Sequence, residues 1–177
     1  MAASHKSSQK ASSTFDPAQA GFERLSKSVE ETQALGERLG VALSPGDVVG
    51  LVGELGSGKT TFIQGVAKGL GVDPNIVKSP TFILMREYPG RVPVIHVDGY
   101  RLEDAASVEW LDLEWIFSPR KVSLIEWADR CQDALPEDYL ELRFEHRSSN
   151  QRRVSAIAHG PRSEQLVNQL TSVPREA

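Results

Sequence analysis

The sequence predicts a single α/β domain in which helices flank a sheet of both parallel and antiparallel strands. Two observations lead to this fold class. Strand-sized apolar runs alternate with segments whose apolar residues recur at helical spacing, which is typical of α/β domains. In two places, two strand-like runs follow each other across a turn and so predict antiparallel hairpins. A chain of 177 residues is long enough for one such domain.

The N-terminal half of the domain begins with a helix. Ser28 followed by Glu31 is typical of a helix N-cap with a capping box. One apolar stripe follows this cap at helical spacing, and a second stripe marks another helix downstream. Between the two helices, a turn at 45–47 leads into a buried strand at 48–52. The stripes consist of Thr32, Leu35, Leu39 and Ala42, and of Phe62, Ile63, Val66, Ala67 and Leu70.

The second half of the domain contains most of the predicted strands. In chain order we expect a hairpin, two short helices, one strand, a second hairpin and a last helix. The turn of the first hairpin is formed by Pro89 and Gly90. The predicted ranges, in the same order, are 81–88 with 92–97, 103–110 and 112–117, 121–126, 139–145 with 153–158, and 163–170.

Both ends of the chain lack hydrophobic periodicity. We therefore expect a disordered N-terminal tail at 1–21, the domain at 22–172 and a flexible C-terminal tail at 173–177. The N-terminus lacks the apolar core of a signal peptide, and its Ser, Ala and Lys content only weakly favours a transit peptide. No apolar run approaches the roughly 20 residues of a membrane span. These features predict a cytoplasmic protein.

A glycine-rich loop follows the first buried strand. Its sequence, Gly53-Glu54-Leu55-Gly56-Ser57-Gly58-Lys59-Thr60, matches the phosphate-loop pattern G-x-x-x-x-G-K-[ST] in full. A glycine-rich turn that only caps a helix is the alternative interpretation. The preceding buried strand and the following amphipathic helix favour the phosphate loop.

The chemistry of phosphate binding explains these residue types. Glycines let the backbone curl into a nest of N–H groups, and the helix after the loop adds its positive end. Lys59 would reach the β and γ phosphates, and the Thr60 hydroxyl would be a magnesium ligand. The loop predicts binding of ATP with Mg²⁺ through Leu55, Gly56, Ser57, Gly58, Lys59, Thr60 and Thr61.

Two carboxylates end predicted strands. Glu126 follows an apolar run, where an acid would open into the crevice that binds ligands in α/β sheets; a solvated glutamate at a strand end is the alternative. Asp98 shares a strand face with Val94 and His96, although it also fits the first position of a turn with Gly99. Thr81, on the stiff loop after Pro80, is a candidate sensor of the nucleotide state.

Together, the four segments 53–62, 78–82, 96–102 and 124–127 resemble the bacterial TsaE (YjeE) ATPases of tRNA threonylcarbamoyladenosine synthesis. The resemblance covers roughly residues 22–160, and its segments occur in the family's order at similar separations. The two middle segments are not shared by other phosphate-loop families. The four matching segments are 53–62, 78–82, 96–102 and 124–127, which read GELGSGKTTF, KSPTF, HVDGYRL and LIEW.

The resemblance implies a small phosphate-loop fold whose ATPase activity supports two partner proteins, TsaB and TsaD, and only through them a tRNA. It implies that Lys59 holds phosphate, that Thr60 and Glu126 bind Mg²⁺, and that Asp98 positions or activates water. Trp127 would lie beside the site. Gly99 departs from the leucine usual in the family, which we expect to loosen the turn after Asp98.

Two other functions fit a phosphate loop. A small nucleoside or metabolite kinase should carry a substrate pocket and an arginine-bearing lid, which the segment after Gly71 does not clearly offer. A regulatory GTPase usually needs an N-K-x-D segment, and residues 75–78 do not supply one. The net charge of −4 argues against strong nucleic-acid binding by the chain alone.

Several further side chains have a structural and a functional interpretation. His96 fits a structural role better than a proton shuttle. The arginines of the second hairpin, at 143, 147, 152 and 153, are expected on a solvated surface, although contact with nucleotide or tRNA is the alternative. Cys131, the single cysteine, has neither the neighbours of a metal site nor an evident base.

Overall fold

The computed structural model of the protein describes residues 19–80, 83–101 and 112–172. Within these residues, seven strands form one sheet and four α-helices pack around it. The strands are β1 (Phe22–Ser26), β2 (Val48–Gly53), β3 (Met85–Tyr88), β4 (Val94–Asp98), β5 (Val122–Glu126), β6 (Leu140–His146) and β7 (Arg152–Ala158). The helices are α1 (Val29–Ala42), α2 (Lys59–Gly69), α3 (Leu113–Ile116) and α4 (Pro161–Thr171).

The sheet is mixed, as the sequence predicts. Its strand order is β1-β7-β6-β2-β5-β4-β3. The four central strands, β6, β2, β5 and β4, run parallel, while β3 pairs antiparallel with β4, and β7 pairs antiparallel with β6 and β1. The carboxyl ends of the four parallel strands therefore meet at one edge of the sheet, where α/β proteins bind their ligands.

Helix α1 begins at the predicted cap. The Ser28 hydroxyl accepts a hydrogen bond from the backbone N–H of Glu31 at 3.1 Å. The Glu31 carboxylate in turn accepts from the backbone N–H of Lys27 at 2.7 Å, one residue before the position that a standard capping box uses. Both predicted apolar stripes face the interior, with Ala42 only partly buried.

Helices α1 and α2 cross with their backbones in contact. A Cβ atom added to Gly36 would meet the backbone oxygen of Phe62, and one added to Gly65 would meet the backbone of Gln33. Two further glycines, Gly40 and Gly69, lie in the same contact. The contact presses α2 against α1, and the phosphate loop directly precedes α2.

Each face of the sheet has its own apolar core. Residues of α1, α2 and α4 pack on one face, with Val122 and Leu124 of β5 among the buried side chains there. Ile95, Val97 and Ile125 point to the other face, which α3 and short 3-10 turns cover. The alternation of β4 and β5 places His96, Asp98 and Glu126 on the α1–α2 side.

The structure differs from the sequence prediction in two elements. Strand β1 was not predicted, because it is a short edge strand of alternating buried and exposed residues. Strand β3 begins at Met85 and not at 81: residues 83 and 84 form a turn in which Leu84 has a φ of 63°. The predicted helix at 103–110 lies outside the described residues, as do most of both predicted tails.

None of the described helices is long and apolar enough to cross a membrane.

Candidate functional site

The phosphate loop connects the carboxyl end of β2 to the first turn of α2. Gly58 is the N-cap of α2, and its φ of 104°, like the φ of 75° at Gly56, lies in the region that favours glycine. The first backbone N–H groups of a helix have no acceptor within the helix itself. The loop thus provides backbone donors and the positive end of α2 at the ligand-binding edge of the sheet.

The seven predicted nucleotide-binding residues lie together in this loop and the first turn of α2. Leu55 is 85% exposed, so only its backbone is suited to contact an anion. Ser57 is 1% exposed, and its hydroxyl has no hydrogen-bond partner among the described residues. A buried hydroxyl without a protein partner is unusual, and it leaves a free donor for a water, an ion or a ligand.

Lys59 lies at the centre of the loop. Its ammonium donates hydrogen bonds to the backbone oxygens of Gly53 at 2.6 Å and Glu54 at 2.9 Å. It also lies 4.1 Å from the ring centroid of Trp127. Burial lowers the pKa of Lys59, whereas nearby carboxylates, led by Glu126, act in the opposite direction. The lysine is therefore held in place by the loop and by the end of β5.

Thr60, Glu126 and His96 form a hydrogen-bonded chain. The Thr60 hydroxyl donates to Oε1 of Glu126 at 3.0 Å, and Nε2 of His96 lies 2.8 Å from the same oxygen. His96 and Glu126 are buried, with side-chain exposures of 0% and 4%. The structure therefore brings the predicted magnesium ligands together and adds a histidine to which the sequence assigned a structural role.

Asp98 lies beside Glu126 in the sheet. The two residues are paired in the parallel register of β4 and β5. Asp98 is 2% exposed; its Oδ1 accepts from the backbone N–H of Tyr100 at 2.9 Å, and its Oδ2 accepts from the Ser79 hydroxyl at 3.4 Å. The geometry thus fits both predictions for Asp98: the residue ends a strand at the site, and its carboxylate binds the backbone of the turn that follows.

Gly99 lies in a close contact between the turn after β4 and the end of β5. A Cβ atom at this position would stand 2.7 Å from the backbone oxygen of Glu126 and 2.9 Å from that of Trp127. The missing side chain lets the turn after β4 pack directly against the end of β5. Asp98 directly precedes this contact in the chain.

An aromatic group covers one side of the loop. Trp127 has a left-handed backbone, with φ 57° and ψ 41°, and its ring contacts that of Tyr100 edge to face at 5.0 Å. The guanidinium of Arg130 lies 4.4 Å from the Tyr100 ring and 5.2 Å from the Trp127 ring. Trp127 is thus positioned beside the site, as the family resemblance implies.

Some predicted residues fall outside the described part of the chain. Thr81, the candidate sensor, and Phe82 are among them, although Ser79 just before them contacts Asp98. The structure therefore does not test the role of Thr81.

Arg152 lies beside the loop, and its expected position on a solvated surface is wrong. The residue is 8% exposed, and a Cβ atom added to Gly58 would stand 2.7 Å from its Nη1. The pairing of β7 with β6 brings Arg152 to the loop, although the two lie far apart in the sequence. Only the alternation of Arg152 with the apolar Val154 and Ala156 in the sequence indicates that it faces the interior.

A cleft of about 380 Å³ opens next to the loop. One wall is formed by the end of β2 and the start of the phosphate loop, and the other by the carboxyl end of β6. Its walls combine polar and apolar side chains, and Arg143 contributes a positive charge. The lining residues are Val52, Gly53, Glu54, Ser57, Arg143, Phe144, Glu145 and His146.

Comparisons with known proteins agree with this architecture. A family model described as threonylcarbamoyl adenosine biosynthesis protein TsaE matches residues 26–154. The tRNA threonylcarbamoyladenosine biosynthesis protein TsaE of Bacillus subtilis is 40% identical over 143 residues, which is 80% of this chain and 89% of the relative. The Streptomyces coelicolor protein of the same name is 44% identical over 115 residues, or 63% of this chain and 76% of that protein.

A solved structure shows the same fold. The crystal structure of Bacillus subtilis YdiB superposes with a TM-score of 0.71 at 32% sequence identity, covering 85% of this chain and 93% of the other. The matched family region contains the phosphate loop, Asp98 and Glu126. On this combined evidence, the chain belongs to the TsaE family of threonylcarbamoyl adenosine biosynthesis proteins.

Proposed function

We propose that this chain is a magnesium-dependent ATPase that serves the threonylcarbamoyladenosine modification of tRNA. One observation carries the proposal: the hydroxyl of Thr60, at the head of the phosphate loop, donates a hydrogen bond to the buried carboxylate of Glu126 at 3.0 Å. In phosphate-loop enzymes, this pairing of a loop hydroxyl with an acid on a neighbouring strand holds the metal of a bound nucleoside triphosphate. Membership of the TsaE family supports the biological context.

The residues at the site fit magnesium. Mg²⁺ prefers hard oxygen ligands and is usually held by one or two carboxylates together with phosphate oxygens and water. Thr60 and Glu126 provide a hydroxyl and a carboxylate of this kind, and Asp98 provides a second carboxylate on the adjacent strand. In the part of the chain that the structure describes, no cluster of three or more His, Cys, Asp or Glu side chains forms a protein-only metal cage.

Each side chain has a distinct task in the proposed reaction. The loop backbone and Lys59 would bind the phosphate chain, and Thr60 and Glu126 would hold Mg²⁺, which would supply neutralisation of charge on the phosphoryl group. Asp98 accepts a hydrogen bond from an attacking water and orients it. Burial of Asp98 and Glu126 strengthens these electrostatic interactions, because little solvent screens them.

We propose that the partners are the TsaB and TsaD proteins, and that tRNA is contacted only through their complex. The net charge of −4 supports this part of the proposal, since a protein that binds RNA alone usually carries a basic surface. Turnover by the isolated chain is expected to be slow.

The test measures ATP binding and phosphate release by the chain alone, and with TsaB, TsaD and substrate tRNA. We expect Mg²⁺-dependent phosphate release that the partners increase, and we expect Lys59→Ala to abolish triphosphate binding or turnover. Lys68→Ala is a matched control, because Lys68 lies on the same helix, is exposed and pairs with Glu37 on the surface. Unchanged ATP affinity in Lys59→Ala, or transfer of phosphate to a nucleoside acceptor, would contradict the proposal.

A further inference from the structure

Arg152 approaches the phosphate loop from the far side of β6. It is the first residue of β7 and shares a strand face with Val154, which packs in the core against α1 and α2. Its guanidinium lies against Gly58, the N-cap of α2, where a Cβ atom would stand 2.7 Å from Nη1. Arg152 is 8% exposed, so most of the side chain has lost its contact with water.

Among the described residues, this buried arginine has no partner of opposite charge. Its Nε makes no hydrogen bond, and no ion pair links the side chain to any described residue. The adjacent Arg153 differs, because it lies 3.5 Å from a Glu23 carboxylate oxygen and 3.8 Å from one of Glu145. Within residues 19–80, 83–101 and 112–172, Arg152 is therefore a nearly buried cation without a counterion.

The surroundings of Arg152 raise the free-energy cost of burying its charge. Removing a charged group from water without a partner is strongly unfavourable. The first turn of α2 carries a partial positive charge of its own, which repels a cation. An anion bound between the guanidinium and the start of α2 is attracted by both positive charges and so offsets the free-energy cost. The Ser57 hydroxyl, which has no partner among the described residues, is a further donor to such an anion.

We propose that Arg152 binds an anionic oxygen of the nucleotide's phosphate chain and is a second cationic ligand beside Lys59. This inference rests on the proposed nucleotide binding and adds to it the residue that balances the phosphate charge from the β7 side. It also explains why the sequence keeps an arginine at a buried position that otherwise destabilises the protein. The arginine lowers the stability of the free protein and raises its affinity for polyphosphate.

The experiment compares Arg152→Gln with Arg153→Gln, which removes the same charge from the next residue. Dissociation constants for MgATP and for inorganic tripolyphosphate are measured by calorimetry, and melting temperatures are measured without ligand. We expect Arg152→Gln to weaken both ligands about 10- to 100-fold, which is the range for loss of a charged hydrogen bond. The melting temperature without ligand stays equal or rises, and Arg153→Gln leaves both affinities within about twofold.

Three outcomes would overturn the inference. The first is unchanged affinity in Arg152→Gln. The second is weaker binding together with a lower melting temperature, since the loss would then follow from a damaged loop. The third is failure of both Arg152→Gln and Arg152→Met, which keeps the apolar stem, to fold. If the wild type binds neither ligand, the proposed function itself fails, whereas wild-type binding with an unaffected variant removes only the role of Arg152.

Discussion

Nε2 of His96 lies 2.8 Å from Oε1 of Glu126, and this contact is buried in the sheet. The same Oε1 accepts the Thr60 hydroxyl at 3.0 Å, while Oε2 makes no hydrogen bond to a described residue. Two donors thus fix one carboxylate oxygen and leave the other for a ligand. Residues that orient a metal-binding carboxylate in this way commonly affect metal affinity or activity about 10- to 100-fold.

We expect His96→Phe to raise the Mg²⁺ concentration needed for half-maximal phosphate release by about 10- to 100-fold. The phenyl ring fills the space but donates no hydrogen bond to Glu126. His96→Gln, whose amide N–H replaces the Nε2 donor, should recover much of the loss. Magnesium titrations of the three proteins measure this, and equal values for His96→Phe and wild type would show that the histidine does not position the carboxylate.

Glu126→Gln should lose magnesium-dependent turnover more than it loses nucleotide affinity. The amide keeps the size of the side chain but removes the negative charge that a metal requires, whereas the loop backbone and Lys59 still bind phosphate. Phosphate release and ATP dissociation constants are compared with those of Glu87→Gln, an acid on β3 that pairs with Lys121. Full turnover in Glu126→Gln would mean that another acid holds the metal.

Gly65→Ala should destabilise the protein although alanine is the better helix former. The added Cβ meets the backbone of Gln33 in α1, which a side-chain rotation does not relieve. We expect a loss of about 1–3 kcal/mol in the free energy of unfolding, typical of overpacking. Urea denaturation measures it, with Lys68→Ala as the control on the exposed face of α2. A more stable Gly65→Ala variant would contradict the contact between the helix backbones.

The Cys131 thiol should be unreactive at neutral pH. Burial, with the nearby Asp129 carboxylate as a second cause, raises the pKa of Cys131 to about 11. The thiolate is the reactive form, and its fraction falls about tenfold for each pH unit below that pKa. At pH 8 we expect alkylation by iodoacetamide roughly a hundredfold slower than for a free cysteine of pKa about 8.5. The urea-unfolded chain is the control, and equal rates in the folded and unfolded chain would contradict this pKa.

Local sequence patterns predicted most elements of the fold but not their pairing. The alternation in 94–98 correctly placed Val94, His96 and Asp98 on one face, because side chains of a strand alternate regardless of context. Strand β1 was missed, since its short run FERLS has polar residues at its second and third positions and becomes a strand only by pairing with β7. Tertiary pairing of this kind outweighs local propensity.

The same distinction applies to the site. The loop from Gly53 to Thr60 is a local pattern, so the sequence alone predicted it as a phosphate loop between β2 and α2. The contact of His96 with Glu126 depends on the register of β4 against β5, and that of Arg152 with Gly58 depends on how β7 lies across the sheet. Neither of these strand arrangements can be predicted from one continuous stretch of sequence. His96 and Arg152, which contact the site from other strands, were therefore assigned a structural role and a solvated position.

The side-by-side pairing of Asp98 and Glu126 restricts where the gene can gain or lose codons. A one-residue insertion or deletion inside β4 or β5 would turn the acid that follows it to the opposite face of the sheet, away from Thr60. Length differences between relatives are therefore expected in the connections between strands, such as the segment from β4 to β5. An alignment of many relatives should show both strands free of gaps.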